Sequence, residues 1–518
     1  MSDLNFRDVF QAAMGVKSVP YAYQCRLACG SQADPENADS LREGADCRSL
    51  LINVPTGLGK TAAVVFAWLW NRIFHSCKSH RGSWPRRLVY CLPMRTLVEQ
   101  TRDNVQLWLH DLEASFGSDD RTDNDGLRWL SARSPVILMG GRETDLNTRA
   151  WDIWPEKPCI LIGTQDMLLS RALNRGYAMS RYRWPVHFGL LNSDCLWVMD
   201  EVQLMGSGLT TSLQLQAWRD DIALRNRDFN QPNTKLPPLV LPTHSWWMSA
   251  TAAEHWFKKS VAMRMRISEL WENRLCADPR TDAKDLFEIP KILHRCAVQV
   301  PTPPTEGNEK WQQYAWRLAN HLASGENRAG KNKASDAEET EDILILVVCN
   351  TVDRAVAVYE ALAKLTKGSS NERLYDEFHL FLLHSRFRGN ERRGWSEKFK
   401  ALERGEGHYA GGPRIMVTTQ VIEAGVDISA ALLYTELCPL ASLIQRLGRC
   451  ARRAGESGKA FWIDFEALRT EPSGELSDLA EEEKNAARPY DPAEIVAARN
   501  ALIRRDNGVP SIPQANPR

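Results

Sequence analysis

The stretch at residues 54–61, VPTGLGKT, constrains the fold of this chain more than any other part of it. It follows the apolar run SLLINVP and leads into TAAVVFAWLW, which has the composition of a buried helix. Glycines in such a loop let backbone N–H groups turn toward a phosphate, while the lysine supplies positive charge and the threonine offers a hydroxyl to Mg²⁺. Val54 departs from the general pattern, which begins with glycine or alanine. The sequence therefore predicts a nucleotide-binding α/β domain whose candidate contacts to ATP are Thr56, Gly57, Gly59, Lys60 and Thr61.

Short apolar runs alternate with longer amphipathic stretches in two parts of the chain. The first set lies at 49–55, 88–93, 159–164 and 195–201, and the second at 343–350, 381–385, 414–420 and 432–437. This alternation is typical of parallel sheets covered by helices on both faces. The predicted fold class is therefore α/β, with two tandem domains that are each a mostly parallel sheet between helices.

The remaining segments set the expected domain boundaries. Residues 301–342 contain PTPPTEGNEKW, then a helix-like run, then a run rich in Gly, Ser, Lys and Glu that cannot support a core, so they are predicted to be a linker or insertion. Beyond about residue 470 the sequence becomes acidic and then rich in proline and asparagine, with one amphipathic candidate helix near 492–505. We therefore expect the first domain at 1–300, the second at 343–470 and a short C-terminal tail at 471–518 that lies outside both sheets.

Overall composition narrows the class of protein. No stretch approaches the roughly 20 apolar residues that span a bilayer, and the first residues carry acids rather than a signal-peptide core, so a cytoplasmic protein without membrane contact is expected. The 12 cysteines form no CxxC pair, which disfavours a structural zinc site. Lysine plus arginine equals aspartate plus glutamate, at 65 each, so a nucleic acid would be held by a local track of donors.

An acidic pair supplies the second part of a nucleotide site. Asp200 and Glu201 end the apolar run CLWVMDE, and acids at a strand end can hold magnesium and polarise an attacking water. Gln203 follows them, and a Ser-Ala-Thr motif at 249–251 comes after another apolar stretch. Asp200 is therefore predicted to hold Mg²⁺ together with Thr61, and all three acidic or amide side chains are predicted to be catalytic.

A run of arginines lies in the predicted second domain. In QRLGRCAR, at 445–452, Arg449 and Arg452 would recur on one helical face. Guanidinium groups supplied to a γ-phosphate stabilise the charge that develops there during hydrolysis. Both arginines are therefore predicted to be arginine fingers, with Gln445 in the same catalytic set. This arrangement predicts two domains that draw together on ATP and separate after hydrolysis.

Taken together, residues from about 18 to 465 resemble superfamily 2 helicases, which have two RecA-like domains, and in detail they look like the CRISPR-associated helicase of type I systems. The resemblance rests on PYAYQ at 20–24, LPMRTLVEQ at 92–100, GTQD at 163–166, LHSRF at 383–387 and TTQVIEAGVD at 418–427. It implies that Gln24 reads the adenine edge and that Asp427 belongs to the nucleotide contacts. It also implies contacts to a nucleic-acid strand from Arg95, Thr96, Thr164, Asp166, Ser385, Arg386, Thr419 and Gln420.

The resemblance also sets the expected activity and partners. It implies an ATP-dependent helicase that moves 3′ to 5′ along single-stranded DNA and is recruited to a target-bound CRISPR surveillance complex. Two alternatives stay open from the residues themselves: a superfamily 2 RNA helicase, and a nucleotide-dependent clamp or scaffold that does not unwind. Motifs that grip phosphates do not decide between DNA and RNA, because they carry little information about the sugar.

The sequence departs from the family's pattern in two places. The common DEVH ends here in Gln203, which can hydrogen-bond the Ser-Ala-Thr motif but cannot titrate. The family also carries a metal-dependent HD nuclease, whereas the His110-Asp111 pair of this sequence has no histidine pattern around it. Nuclease activity is therefore not expected from this chain alone. An HD nuclease would lie on another chain, on a C-terminal extension, or be absent.

Overall fold

The computed structural model divides the chain into two compact units, residues 1–284 and residues 285–518. Its description leaves out residues 1–3, 119–121, 141–149, 178, 230–240, 259, 279, 283, 285–288, 290, 302–310, 324–342, 367–378, 388–394, 411–412, 424–425, 427, 454, 469–480 and 507–518. Each unit is built around one parallel sheet, so the predicted α/β class is confirmed. Among the described helices, none has the length and apolarity that crossing a bilayer requires.

The first unit contains one sheet among its described residues. In chain order its strands are β1 (Leu50–Asn53), β2 (Arg87–Leu92), β3 (Val136–Leu138), β4 (Cys159–Thr164), β5 (Cys195–Met199), β6 (Thr243–Ser249) and β7 (Leu275–Cys276). They pair in parallel in the order β3-β4-β2-β5-β6-β1-β7. Every side chain of β2, β4 and β5 is buried, as in a sheet covered on both faces. The carboxyl ends of all these strands share one edge, where open α/β sheets bind their ligands.

Helices connect these strands. The α-helices are Phe6–Met14, Ala22–Cys29, Lys60–Leu69, Lys78–Ser83, Arg95–Phe116, Asn124–Arg133, Ala150–Ile153, Gln165–Ala172, Trp184–Leu191, Ser207–Phe229, Glu254–Phe257 and Arg264–Glu272, with a π-helical turn at Trp70–Phe74 and 3₁₀ turns at Ser40–Arg42, Arg181–Arg183 and Val202–Leu204. The helix Lys60–Leu69 is buried on all sides apart from Thr61. The helix Arg95–Phe116 instead buries one stripe, which includes Val98, Val105 and Leu112.

The second unit repeats this plan with a smaller sheet. Its described strands are β8 (Lys291–Arg295), β9 (Leu344–Val348), β10 (His379–Leu383), β11 (Arg414–Thr418), β12 (Leu432–Glu436) and β13 (Gly458–Ile463), paired in parallel in the order β10-β11-β9-β12-β13-β8. Its α-helices are Gln312–Ala323, Val352–Thr366, Trp395–Arg404, Leu440–Leu447, Glu481–Ala487 and Pro492–Asp506, with 3₁₀ turns at Gly407–Tyr409 and Gln420–Ile422.

The boundary between the units differs from the one expected at residue 300. The strand Lys291–Arg295 pairs with β13 and therefore belongs to the second sheet. The helix Gln312–Ala323, which the sequence placed in a linker at 301–342, packs against the helix Val352–Thr366 and buries Tyr314 and Leu318 in the second core. The linker interpretation therefore does not hold for this helix, and residues 324–342 lie outside the described part.

The expected C-terminal tail at 471–518 also contributes to the second core. The helix Pro492–Asp506 buries Ile495 and Ala498 in that core. Its Arg499 is 2% exposed and donates from Nε to Oδ1 of Asp464 at 2.8 Å, just beyond β13. A buried ion pair anchors this helix to the sheet, so we correct the expectation that the segment lies apart from the fold.

Candidate nucleotide-binding and strand-binding sites

The phosphate loop lies between β1 and the helix Lys60–Leu69. Gly57 and Gly59 have φ angles of 91° and 69°, in the left-handed region where a side chain causes strain, so the turn requires glycine. Lys60 is the first helical residue, and its Nζ atom donates to the carbonyl oxygen of Val54 at 3.2 Å. The loop thus folds around its own lysine at a helix N-terminus, a position suited to an anion. Thr56 is partly buried before the two exposed glycines.

The acidic pair lies at the carboxyl end of β5. Burial and the neighbouring charge of Glu201 raise the pKa of Asp200 to about 7, although Lys60 acts in the opposite direction. Glu201 has a φ angle of 52°, which is rare for a residue with a side chain. Its Oε1 atom is 3.8 Å from the Nζ atom of Lys60. The fold therefore brings the lysine of one loop and the acids of another into a single site.

The two oxygens expected to hold magnesium are linked through a third residue. The hydroxyl of Tyr90, from β2, lies 2.8 Å from Oδ2 of Asp200 and 3.3 Å from Oγ1 of Thr61. A hydroxyl and a carboxylate are the hard donors that Mg²⁺ binds, usually with one or two protein ligands beside phosphates and waters. Burial disfavours the charged carboxylate, and a cation would stabilise it. The chemistry of Thr61 and Asp200 therefore fits the ion.

A chain of hydrogen bonds runs from the acidic pair to β6. Nε2 of Gln203 donates to Oε2 of Glu201 at 2.5 Å, and Oε1 of Gln203 accepts from the hydroxyl of Ser249 at 2.8 Å. That hydroxyl in turn accepts from the backbone N–H of Thr251 at 2.9 Å. Gln203 thus contacts the Ser-Ala-Thr motif, and both ends of its amide are used.

Gln24 lies against the phosphate loop. Its side chain is buried and accepts from the backbone N–H of Tyr21 at 2.9 Å. Its Nε2 atom is 3.3 Å from the carbonyl oxygen of Gly59. The structure therefore places Gln24 beside the loop that would bind ATP, and its recognition of adenine stays a prediction.

The predicted strand contacts of the first unit gather at one edge of its sheet. Thr164 is the last residue of β4, and Asp166 is exposed in the helix that follows. Arg95 and Thr96 begin the helix after β2, which is the neighbour of β4. Arg95 is exposed, whereas Thr164 is buried. The topology thus brings these four residues together from motifs far apart in sequence.

The second unit has the corresponding residues at the ends of β10 and β11. Ser385 and Arg386 follow β10, and Thr419 and Gln420 follow its neighbour β11. The first two are exposed, whereas Thr419 is buried. Arg386 forms an exposed ion pair with Asp353 at 3.0 Å. Such pairs are weak, so this contact leaves the arginine able to exchange its partner for a phosphate.

The two arginines predicted to act as fingers are buried or partly buried in the second unit. Arg449 is 7% exposed and donates from Nε and Nη2 to the carbonyl oxygens of Ile422 and Glu423, each at 2.9 Å. Gln445 is buried and Arg452 is partly buried. In the unit taken by itself, Arg449 therefore stabilises the turn after β11. The action of Arg449 and Arg452 on ATP stays a prediction, and Asp427 lies outside the described residues.

Two residues of these sites have no place in the sequence-based predictions. Arg446 is fully buried, and its guanidinium donates to the carboxylate of Glu423 at 2.8 Å, to Oδ1 of Asn350 at 2.9 Å and to the hydroxyl of Tyr490 at 3.1 Å. Tyr90 resembles an ordinary core residue in the apolar run LVYCLP. A buried tyrosine hydroxyl needs a hydrogen-bond partner, and that need was the one signal available in the sequence.

Known families match both units. Residues 37–257 match the model described as DEAD/DEAH box helicase, and residues 341–455 match the model described as CRISPR-associated nuclease/helicase Cas3, C-terminal. With two RecA-like sheets and a phosphate loop beside an Asp-Glu pair, the chain has the core of a superfamily 2 helicase. Within that class the chain is similar to the Cas3 type.

Similar proteins carry the same description. CRISPR-associated nuclease/helicase Cas3 from Haloferax volcanii is 39% identical over 446 residues, covering 77% of this chain and 44% of that protein. A putative CRISPR-associated nuclease/helicase Cas3 from Myxococcus xanthus is 40% identical over 111 residues, 21% of this chain and 13% of that protein. The solved structure of T. fusca Cas3 with AMPPNP shares the fold, with a TM-score of 0.58 and 17% identity over 97% of this chain. The chain spans 51% of that solved protein.

Proposed function

We propose that this chain is an ATP-driven motor that moves 3′ to 5′ along single-stranded DNA and unwinds target DNA in type I CRISPR defence. One observation carries the proposal furthest: Lys60, Glu201 and Gln203 form a connected path that continues to Ser249 at the end of β6. This path joins the group that would bind phosphate to the Ser-Ala-Thr motif, which lies at the same carboxyl edge of the sheet as the predicted strand contacts. It supports an enzyme whose ATP site is connected to that edge.

The proposed chemistry uses groups of the first unit. Lys60 would exchange its 3.2 Å bond to the Val54 carbonyl for the β- and γ-phosphate oxygens of ATP. Glu201 would accept a hydrogen bond from the attacking water and orient it toward the γ-phosphate. Mg²⁺, held by Thr61 and Asp200, would neutralise charge on the transferring phosphate. Gln203 would keep the carboxylate of Glu201 in the orientation this task needs.

The proposed contacts to the nucleic-acid strand come from residues at the carboxyl ends of the strands in both units. Thr164 ends β4 and Thr419 follows β11, so each would contact phosphates at the ligand-binding edge of its own sheet. Arg449 and Arg452 would supply positive charge to the γ-phosphate when the units close on ATP. Loss of that charge partner after hydrolysis would release the units and advance the strand. The preference for DNA is inferred from the Cas3 relatives, since phosphate contacts do not specify the sugar.

The proposed setting follows the same relatives. The names of the relatives join a nuclease to a helicase, and the chain spans less than half of the Haloferax protein. We propose that a target-bound surveillance complex recruits this motor in the cytoplasm and that cleavage by an HD nuclease, where it occurs, uses residues beyond this chain. His110 and Asp111 lie on the helix Arg95–Phe116, which begins with the predicted strand contacts Arg95 and Thr96. Among the described residues there is no cluster of three or more His, Cys, Asp or Glu side chains that could hold a metal ion.

The test compares ATP turnover with single-stranded DNA and with RNA of the same sequence, at one stated salt concentration. We expect DNA to stimulate turnover and RNA to do so weakly. Strand displacement from duplexes with a 3′ or a 5′ overhang then tests direction, and the 3′ overhang should be the productive one. Stimulation by RNA as strong as that by DNA would contradict the proposed substrate. Displacement from the 5′ overhang would contradict the direction, and hydrolysis without displacement would favour a clamp. Lys60→Ala protein is the control for contaminating ATPase.

A further inference from the structure

The hydroxyl of Tyr90 has no part in the chemistry proposed above. Tyr90 lies within β2 and is 0% exposed. Its oxygen is 2.8 Å from Oδ2 of Asp200 and 3.3 Å from Oγ1 of Thr61, the two residues that fit magnesium. One phenolic oxygen thus joins the phosphate loop to the acidic pair.

The direction of these two hydrogen bonds follows from proton counting. A phenol has one proton and can donate it once. The contact with Asp200 is the shorter one and its acceptor is a carboxylate, so the proton is donated there. The contact with Thr61 then requires the threonine to donate its own proton to the phenolic oxygen. The lone pairs of Thr61 Oγ1 are left for a cation, because its proton is directed at Tyr90.

We propose that Tyr90 is a positioning residue for magnesium, which orients the oxygens of Thr61 and Asp200 before the ion binds; this rests on the nucleotide site proposed above. The backbone N–H of Glu201 already fixes Oδ1 of Asp200 at 2.9 Å. Tyr90 donates to the second oxygen, so both oxygens of the carboxylate are held in one orientation. Removal of a partner that orients a metal ligand typically weakens metal affinity by about 10- to 100-fold.

A different role for the Tyr90 hydroxyl would change the magnesium affinity in the opposite direction. If the phenolic oxygen occupied the place that the ion takes, loss of the hydroxyl would remove a competitor and strengthen magnesium binding. Orientation predicts weaker binding instead. A single titration therefore separates the two roles.

The experiment titrates Mg²⁺ against Tyr90→Phe protein and follows the binding of a fluorescent, non-hydrolysable ATP analogue. The variant removes one oxygen and keeps the buried ring. We expect the half-saturating magnesium concentration to rise about 10-fold, with nucleotide binding in EDTA within about twofold of wild type. ATP turnover at saturating magnesium should recover most of the wild-type rate, because the defect lies in metal binding. An unchanged or lower magnesium requirement overturns the proposal.

Tyr314→Phe is the matched control. Tyr314 is also buried, and its hydroxyl lies 3.1 Å from the carboxylate of Glu436 in the second unit. It should keep the wild-type magnesium requirement, and thermal unfolding of both variants checks that the fold is retained. Should Tyr90→Phe not fold, Tyr90→Met also lacks the oxygen, and the same increase is expected. A wild-type protein that binds the analogue at no magnesium concentration would refute the proposed nucleotide site itself, whereas equal binding with and without magnesium would overturn the magnesium site and with it the role of Tyr90.

Discussion

Gln203 gives a direct test of how the proposed site works, because its amide holds Glu201 on one side and Ser249 on the other. Gln203→Leu keeps the size of the side chain and removes both hydrogen bonds. A hydrogen bond to a charged group contributes about 1.5–3 kcal/mol. Each 1.4 kcal/mol or so of lost transition-state stabilisation is a factor of ten, so kcat should fall between about 10-fold and 150-fold.

The assay is steady-state ATP hydrolysis with and without single-stranded DNA. Glu201 keeps its 3.8 Å contact with Lys60 in the variant, so ATP should still bind and KM should change little. Ser249→Ala removes the far end of the chain and should lower stimulation by DNA more than basal turnover. The double variant should be no slower than Gln203→Leu, because residues in one hydrogen-bond network do not add their effects.

Gln203→His is the conservative control for this series. An imidazole can donate to Glu201 and accept from Ser249, so this variant should keep more activity than Gln203→Leu. The reasoning fails if Gln203→Leu turns over ATP within twofold of wild type. It also fails if the double variant is slowed by the product of the two single effects, since the two side chains would then act independently.

Three further outcomes are expected. Lys60→Ala should abolish ATP turnover with thermal unfolding unchanged, and DNA-stimulated hydrolysis by the folded variant would refute the phosphate-loop assignment. Arg449→Ala should reduce hydrolysis by at least about 10³-fold while DNA still binds in a titration, and normal hydrolysis with lost DNA binding would refute the finger assignment. Arg499→Ala should lower the free energy of unfolding in urea by about 1.5–3 kcal/mol, because Asp464 loses one of two arginine partners and keeps Arg295 at 2.6 Å. Exposed Arg404→Ala should cost under about 1 kcal/mol, and equal effects would contradict this.

The arrangement of the candidate nucleotide site in the first unit could be predicted because its parts are local. The turn at Gly57 and Gly59, the lysine and the helix follow one another in sequence, and each has a backbone or charge requirement that few residue types satisfy. Parallel pairing then brings the end of β5 to the same edge without further information. What the sequence did not show was the contact across the sheet from Tyr90, since an apolar strand of this kind does not reveal which of its side chains reaches the acidic pair.

The boundary near residue 300 could not be placed because β8 is an edge strand. Its sequence, KILHR, has three residues with polar or charged side chains, and most of its positions are partly or fully exposed. An edge strand is covered on one face at most, so its residues need not be apolar throughout. The sequence of such a strand therefore has no continuous apolar run that would identify it. The helix Gln312–Ala323 is visible in the sequence as a helix-like run, but its assignment to the linker is wrong. The charged run that follows it cannot support a core, and the sequence does not show that the helix itself packs on the second sheet.

The segment after β13 shows why composition misled for the second unit. The helix Pro492–Asp506 is anchored by an ion pair between Arg499 and Asp464, and neither charge indicates burial when taken singly. Tyr490 lies before that helix, and its hydroxyl contacts both Arg446 at 3.1 Å and the carboxylate of Glu423 at 3.2 Å. Glu423 belongs to the turn after β11, the turn that also holds Thr419. The C-terminal segment is thus hydrogen-bonded to the turn that holds Thr419, a predicted contact to the nucleic-acid strand. Removal of the segment would therefore disturb both that proposed contact and the core of the second unit.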